Sequence, residues 1–211
     1  MNLDLPEQLA KRLREPLPGP MEGTRFAAID RPGPRVTEVP PQARPAAVLA
    51  LLYPLADRWH IPFTVRPQHL PDHAGQVCLP GGAVEAGEFS ADAAVREFHE
   101  EVGADNVRPE ILGSLSPIYV HVSNFRVEPF VAVCRERPEF VANPAEVDEI
   151  LEIPLEHLLD PANLSSHQRS LNGCTYTVPH FAWKSHRIWG ATCLILGELV
   201  TVIDEITSQQ A

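Results

Sequence analysis

Residues 79–104 read Leu79-Pro-Gly-Gly82-Ala-Val-Glu85-Ala-Gly-Glu88-Phe-Ser90-Ala-Asp92-Ala-Ala-Val-Arg96-Glu97-Phe-His-Glu100-Glu101-Val-Gly103-Ala104, and this stretch organises the rest of the chain. From Ser90 to Gly103 it is written as a helix: a serine placed to cap the start, an acid in the first turn, apolar positions at Ala93, Ala94, Val95 and Phe98, and a glycine stop. Between Gly82 and Ala104 stand six carboxylates and one basic residue, Arg96. Glu97, Glu100 and Glu101 occupy i, i+3 and i+4 and therefore share a helical face. Crowding like charges in this way costs roughly a few tenths of a kcal/mol per pair, a cost that a hard divalent cation removes. Arg96 lies four residues from both Asp92 and Glu100 and is placed to brace the carboxylates. Gly81 and Gly82 let backbone approach a ligand closely, and Glu88 can fold back toward Arg96 or a cation. Carbonyl, carboxylate and water oxygens, completed by phosphate, are the ligands that Mg²⁺ and Mn²⁺ prefer. The stretch thus predicts metal-assisted phosphate chemistry; the plainer reading is a solvated acidic face.

Outward from this segment the chain alternates short apolar runs with turns. Strands are predicted at 46–53 and 62–65, joined by a turn, and at 76–79, stopped by Pro80-Gly81-Gly82; further strands fall at 111–115, 126–134, 149–153 and 175–183. A last helix is predicted at about 190–206. Interleaved strands and helices indicate an α/β (α+β) domain with helices packed on a mixed sheet.

Nine of the 22 prolines lie in the first 45 residues, where Leu5, Leu9 and Leu13 mark one short amphipathic helix before an extended arm. The predicted division is a helix and Pro-rich arm over 1–45 and the catalytic domain over 46–211, with the arm wrapped on that domain or on a second subunit, which leaves room for a homodimer. The four cysteines, at 78, 134, 174 and 193, match neither a zinc ribbon nor a redox pair and are expected to be buried, reduced thiols. His69 and His73 are four apart, but Pro71 between them opposes the helix that would converge them on a metal.

Seventeen Lys+Arg against 28 Asp+Glu gives a net charge of −11, which disfavours nucleic acid as a partner. The most apolar stretches are about half the ~20 residues a membrane-spanning helix needs, and the first 20 residues lack the apolar core of a secretory signal. A soluble, cytoplasmic protein without membrane partners is the expectation.

Gly82, Glu88 and the run Arg96-Glu-Phe-His-Glu-Glu-Val-Gly-Ala104 resemble the Nudix box, with each glycine, glutamate and arginine of that motif matched. Phe98 and Ala104 depart from its usual aliphatic residues, and neither removes a ligand. Upstream, Phe63-Thr-Val-Arg66, Leu70, His73-Ala-Gly-Gln-Val77 and Leu79-Pro-Gly-Gly82 resemble the extension that marks the coenzyme A pyrophosphatase branch of the family. Pro71 replaces that branch's usual arginine and Leu79 its usual phenylalanine. Segments 123–129, 146–155 and 187–192 also resemble the branch, so the likeness spans roughly 46–205.

The resemblance implies an α/β/α sandwich with the box arranged as strand, loop, helix and loop over the active site, and a Mg²⁺- or Mn²⁺-dependent hydrolysis of coenzyme A or acyl-coenzyme A. The products would be adenosine 3′,5′-bisphosphate and (acyl-)4′-phosphopantetheine. Carried onto this chain, Glu97 and Glu101 are the expected metal ligands, with Glu100 shared between metal and Arg96 and a Gly81 or Gly82 carbonyl completing the site. Arg96 would orient carboxylates, Glu146 is the candidate general base, and Arg66 is the main fixed cation for a substrate phosphate, with Arg126 and Arg187 as further candidates. Trp189 is expected to pack the core. Two alternatives stand beside this reading: a Nudix hydrolase for another small-molecule nucleotide such as ADP-ribose, and a non-catalytic Nudix-shaped module. Retention of all three helix acids favours catalysis.

Overall fold

The computed structural model describes residues 4–21, 24–31, 33, 36–69 and 73–208. Its centre is β1 (Arg44–Leu55), whose residues are buried on both sides. One edge of β1 runs parallel to β7 (Phe125–Val133), from Arg44↔Phe125 to Leu52↔Val133. The other edge is shared: β4 (Gly81–Ala83) pairs antiparallel with residues 46–48, and β2 (Arg58–Val65) pairs antiparallel with residues 53–55. Beyond these lie β3 (Val77–Cys78) and β8 (Glu149–Pro154) on β2, and β5 (Glu110–Ser114) and β6 (Ile118–Val120) on β7. A separate three-stranded sheet has the order β11-β10-β9, from β9 (Leu164–Leu171), β10 (Cys174–Trp183) and β11 (His186–Trp189).

Period-2 alternation along β1 splits the core in two. Ala47, Leu49, Leu51 and Tyr53 meet Ala93, Ala94, Phe98 and Val102 of α2 (Ser90–Val102). Ala46, Ala50 and Leu52 belong to the opposite core, shared with α1 (Leu5–Arg12) and α4 (Ala191–Ser208). The mixed sheet between helices is the α/β/α arrangement predicted. α1 buries Leu5 and Leu9, with Leu13 just beyond its end, and the arm follows with Phe26 stacked on Phe181 at 5.8 Å between ring centroids. The 12 residues of α4 that are buried make it apolar nearly all round, because α1, the arm and the β9–β11 sheet enclose it. No described helix is long and apolar enough to cross a membrane.

Four expectations are corrected. The chain after Cys78 does not leave the sheet at Pro80-Gly81-Gly82: these glycines form β4, held by backbone pairing with β1 and not by side-chain propensity. Ser90 does not cap α2. Phe89 holds that position with extended backbone, its carbonyl accepting from the Ala93 N–H at 3.0 Å, because the turn closed by Glu88 N–H on Glu85 carbonyl starts the helix one residue early. The cysteines are free, but Cys174 is exposed beside the Asn172-Gly173 turn and Cys78 is only partly buried. Finally β6, β9, β11 and the short α3 (Leu155–Leu159) went unpredicted. β9, LSSHQRSL, has no apolar alternation and exists because all eight of its residues pair with β10.

Glu198, 2% exposed on α4, ties the layers together. Its Oε1 accepts from Gly19 N–H at 3.0 Å and Ser116 Oγ at 2.7 Å, and its Oε2 from Ser116 N–H at 2.8 Å. Glu198→Gln keeps one acceptor but turns an amide NH₂ onto a donor, so it should lose about 1–3 kcal/mol of stability in urea unfolding with an unchanged m-value. Glu205→Gln, which breaks a half-exposed pair with Arg12, should lose less than about 1 kcal/mol. Equal losses would show that Glu198 does not anchor the arm.

Candidate active site

β4 sets the site's geometry. Leu49 N–H bonds the Pro80 carbonyl at 2.9 Å and Val84 N–H the Pro45 carbonyl at 3.1 Å, so the hydrogen-bonded pairs alternate with Val48↔Gly81 and Ala46↔Ala83. The peptide groups of Gly81 and Ala83 therefore turn away from β1, toward α2. Gly81 N–H bonds the Glu101 carboxylate, and the Ala83 carbonyl accepts from Arg96 Nη2 at 3.1 Å. Gly81 has φ +154°, and a Cβ there would strike the Ala47 carbonyl; a Cβ on Gly82 would strike the Glu97 carboxylate. Glycine at 82 lets Glu97 lie this close to the strand, and glycine at 81 lets β4 lie this close to β1.

Arg96 is the electrostatic hub. Its Nε and Nη2 donate to both Glu88 oxygens at 2.9 and 3.0 Å, and its Nη1 donates to Glu97 at 2.8 Å and Glu100 at 3.0 Å. Asp92 is not among its ion-pair partners. Glu88 in turn accepts from Glu85 N–H at 2.9 Å, closing the loop of the box; the Arg96 hydrogen bond is the main reason its carboxyl lies below the usual range.

Glu101 differs from the other acids. It is 3% exposed, and burial pushes its carboxyl up to about 8; the Gly81 hydrogen bond and Arg66 oppose that rise, while Glu146 and Glu97 add to it. Its Oε2 is buried and finds no hydrogen-bond donor. Glu97 is also raised by burial against the pull of Arg96, with Glu100 and Glu146 adding to the rise. The electrostatic influence of Glu146 on both acids brings it into the site. Its loop is pinned at two points: Asn143 N–H bonds the Glu101 carbonyl at 2.9 Å, and Asp148 N–H bonds the Val65 carbonyl at 2.8 Å. Arg66, one residue past β2, acts on Glu101 and Cys78.

The sequence-predicted residues Arg66, Gly81, Gly82, Arg96, Glu97, Glu101 and Glu146 are thus brought together. Glu100, 54% exposed, lies on the outer side of Arg96. No three acidic, histidine or cysteine groups among the described residues already converge at metal-binding distance, because Arg96 draws Glu97 and Glu100 to itself and Glu101 turns to Gly81. The oxygen-only donor set nevertheless fits a hard divalent cation, and the orphaned Glu101 Oε2 is the atom such an ion would satisfy. Arg126 pairs with Glu128 at 3.9 Å, and Leu70 and Pro71 lie outside the described residues. Asn143, which docks the Glu146 loop on α2, went unpredicted, since nothing in sequence spacing reports a backbone contact across 42 residues.

The family model described as NUDIX domain matches residues 43–172. Nudix hydrolase 3 of Caenorhabditis elegans is 31% identical over 176 residues, covering 75% of this chain and 72% of its own. Nudix hydrolase 15, mitochondrial, of Arabidopsis thaliana is 33% identical over 168 residues, covering 76% of this chain and 59% of its own. The solved Nudix hydrolase RenU from M. Smegmatis superposes with a TM-score of 0.48 at 18% identity, over 80% of this chain and 88% of that one. The chain belongs to the Nudix family and is a pyrophosphohydrolase.

The two glycines should respond differently to alanine. Gly82→Ala meets the far end of a flexible side chain, so it should displace Glu97 and cut hydrolysis by about 10-fold or more while melting close to the parent. Gly81→Ala meets backbone at positive φ and should lower stability by more than about 1 kcal/mol. Thermal unfolding together with rates of diphosphate cleavage, read from the phosphomonoester products, checks both; a Gly82→Ala protein of parental activity would show that Glu97 need not stay where it is.

Proposed function

We propose that this hydrolase cleaves the diphosphate of coenzyme A or acyl-coenzyme A, with Mg²⁺ or Mn²⁺, releasing adenosine 3′,5′-bisphosphate and (acyl-)4′-phosphopantetheine. The observation that carries the substrate reading is the placement of Arg66. Arg66 belongs to the upstream stretch that resembles the coenzyme A branch, and its charge acts on Glu101 of the box. ADP-ribose and other nucleoside diphosphate compounds share the scissile linkage and are the alternatives the substrate panel distinguishes.

In this reading Glu97 and Glu101 hold the cation, with Glu100 and the Gly81 carbonyl as further ligands. A divalent ion bound there supplies positive charge for the non-bridging phosphate oxygens and lowers the pKa of a bound water. Glu146, held between α2 and the end of β2, takes the proton from the attacking water. Arg66 pairs with a diphosphate oxygen in the planar fashion its guanidinium favours. Gly82 gives the substrate backbone-close access to the box. Arg96 positions Glu97 and Glu100 without touching substrate, and Glu88 fixes Arg96.

Glu101→Gln and Glu97→Gln should each lower turnover by ~10²-fold or more, the order seen when a charge-stabilising group is removed, with unchanged circular dichroism. Arg96→Ala should lower kcat and weaken apparent metal affinity while leaving KM nearly unchanged. Coenzyme A, acetyl-coenzyme A, dephospho-coenzyme A and ADP-ribose, each incubated with Mn²⁺ and then with Mg²⁺ and followed by product identification, test the substrate. Highest kcat/KM for a coenzyme A ester or the free thiol is expected. A clear preference for ADP-ribose would remove the coenzyme A assignment.

A further inference from the structure

The β9–β10–β11 sheet presents a cationic, aromatic face in a chain whose net charge is −11. The register His167↔Val178, Arg169↔Tyr176, His180↔Trp189 and Ala182↔Arg187 puts His167, Arg169, His180, Arg187 and Trp189 on one side of the sheet. The opposite side carries Phe181 and Ile188 into the core. Tyr176 and Val178 share the first side, and they and His180 are buried among its members, while Arg169 and Arg187 are exposed.

The side chains on this face touch one another. His167 Nδ1 and His180 Nδ1 are 3.2 Å apart, and the His167 and Trp189 rings meet edge to face at 6.0 Å. The Arg169 guanidinium lies over the Trp189 ring at 4.1 Å. Stacking occupies only the flat face of a guanidinium and leaves its N–H donors, all in the plane, directed outward. Neither Arg169 nor Arg187 has a carboxylate partner among the described residues. Burial lowers the proton affinity of both imidazoles, Arg187 lowers both further, and Arg169 adds to the effect on His167. The field on this face is positive from two directions.

The end of this sheet also lies beside β3, the strand that leads into the box. Trp189 ends β11, and Thr192, three Cα steps on and so at most about 11 Å away, hydrogen bonds Cys78 of β3. Cys78 pairs with Thr64 of β2, and both Cys78 and Glu101 lie within the field of Arg66. A nucleotide with its diphosphate at Arg66 and the box can extend along this short path to the sheet.

We propose that the face formed by His167, Arg169, His180, Arg187 and Trp189 is a subsite for a phosphomonoester of the substrate, remote from the scissile diphosphate. Arg187 and Arg169 donate to the phosphate, Trp189 holds Arg169 flat, and the histidine pair fixes the floor. The assignment rests on the nucleotide diphosphate reading of the box and sharpens it, since coenzyme A carries such a group on its ribose and dephospho-coenzyme A and ADP-ribose do not. Trp189, expected to pack the core, is instead half-buried on this face beneath Arg169.

The test separates the subsite from the catalytic reading by measuring binding without turnover. Calorimetry in excess chelator, with the full chain, compares adenosine 3′,5′-bisphosphate with adenosine 5′-monophosphate for the parent, Arg187→Gln and Arg169→Gln. The parent should favour the bisphosphate by about 10-fold, the effect of one charge-assisted contact, and each variant, melting like the parent, should lose most of that preference. In kinetics, the kcat/KM ratio of coenzyme A to dephospho-coenzyme A should fall in parallel. No preference in the parent, or an undiminished preference in both variants, overturns the subsite. Arginine-dependent bisphosphate binding by an enzyme that does not cleave coenzyme A would uphold the subsite and remove the substrate assignment.

Discussion

The site depends on the contact between two strand glycines, Gly81 and Gly82, and a helix crowded with acids. Because Gly81 and Gly82 pair with β1 and carry no Cβ, Glu97 and Glu101 come down onto backbone, where Gly81 N–H meets Glu101 and the Ala83 carbonyl meets Arg96. A side chain at Gly82 would displace Glu97, and one at Gly81 would strike β1 at Ala47 and Val48. The same approach buries Glu101 and leaves one of its oxygens unsatisfied. A buried carboxylate oxygen without a donor costs about 1–3 kcal/mol or more in a folded protein, a cost that a cation bound there, as proposed, would offset.

Arg96 sets how far the remaining acids can move. Its guanidinium satisfies Glu88, Glu97 and Glu100 together, so the Glu97–Glu100 repulsion written into the i, i+3 spacing is offset by one cation. Glu101 is outside this clamp, and Glu146 reaches the site on a loop tied to α2 at Asn143 and to β2 at Asp148. The acids therefore come from two elements with independent supports. On the proposed reading an acidic chain would hold a polyanion through local charges at Arg66, at a bound cation, and at Arg169 and Arg187 on the neighbouring sheet.

Much of this was legible in the order of residues. The span of α2, the course of β1 and β7, and the terminal helix follow from apolar periodicity, the pairing of Arg96 with Glu100 follows from helical spacing, and Glu88 is placed just before the helix to fold back on Arg96. β4 was not legible, since two glycines carry no strand propensity and only pairing with β1 makes them a strand. β9 was hidden for the same reason, being polar throughout, and with it the histidine and arginine face opposite Tyr176 and Val178. Convergence of Glu97, Glu100 and Glu101 was inferred from their shared face, whereas the structure divides them between Arg96 and Gly81. Spacing fixes which side of a helix a residue occupies; it does not fix which partner takes its oxygen.

The central claim is that Glu101, with Glu97, holds the divalent cation. Electron paramagnetic resonance of free Mn²⁺, titrated against the parent and against Glu101→Gln, Glu97→Gln and Arg126→Gln, tests it without substrate or turnover. The account expects affinity to fall by about 10-fold or more in the first two variants, the scale of losing a ligand or its support, and to be retained in Arg126→Gln, whose side chain pairs with Glu128 away from the box. Parental Mn²⁺ affinity in a folded Glu101→Gln protein would contradict it.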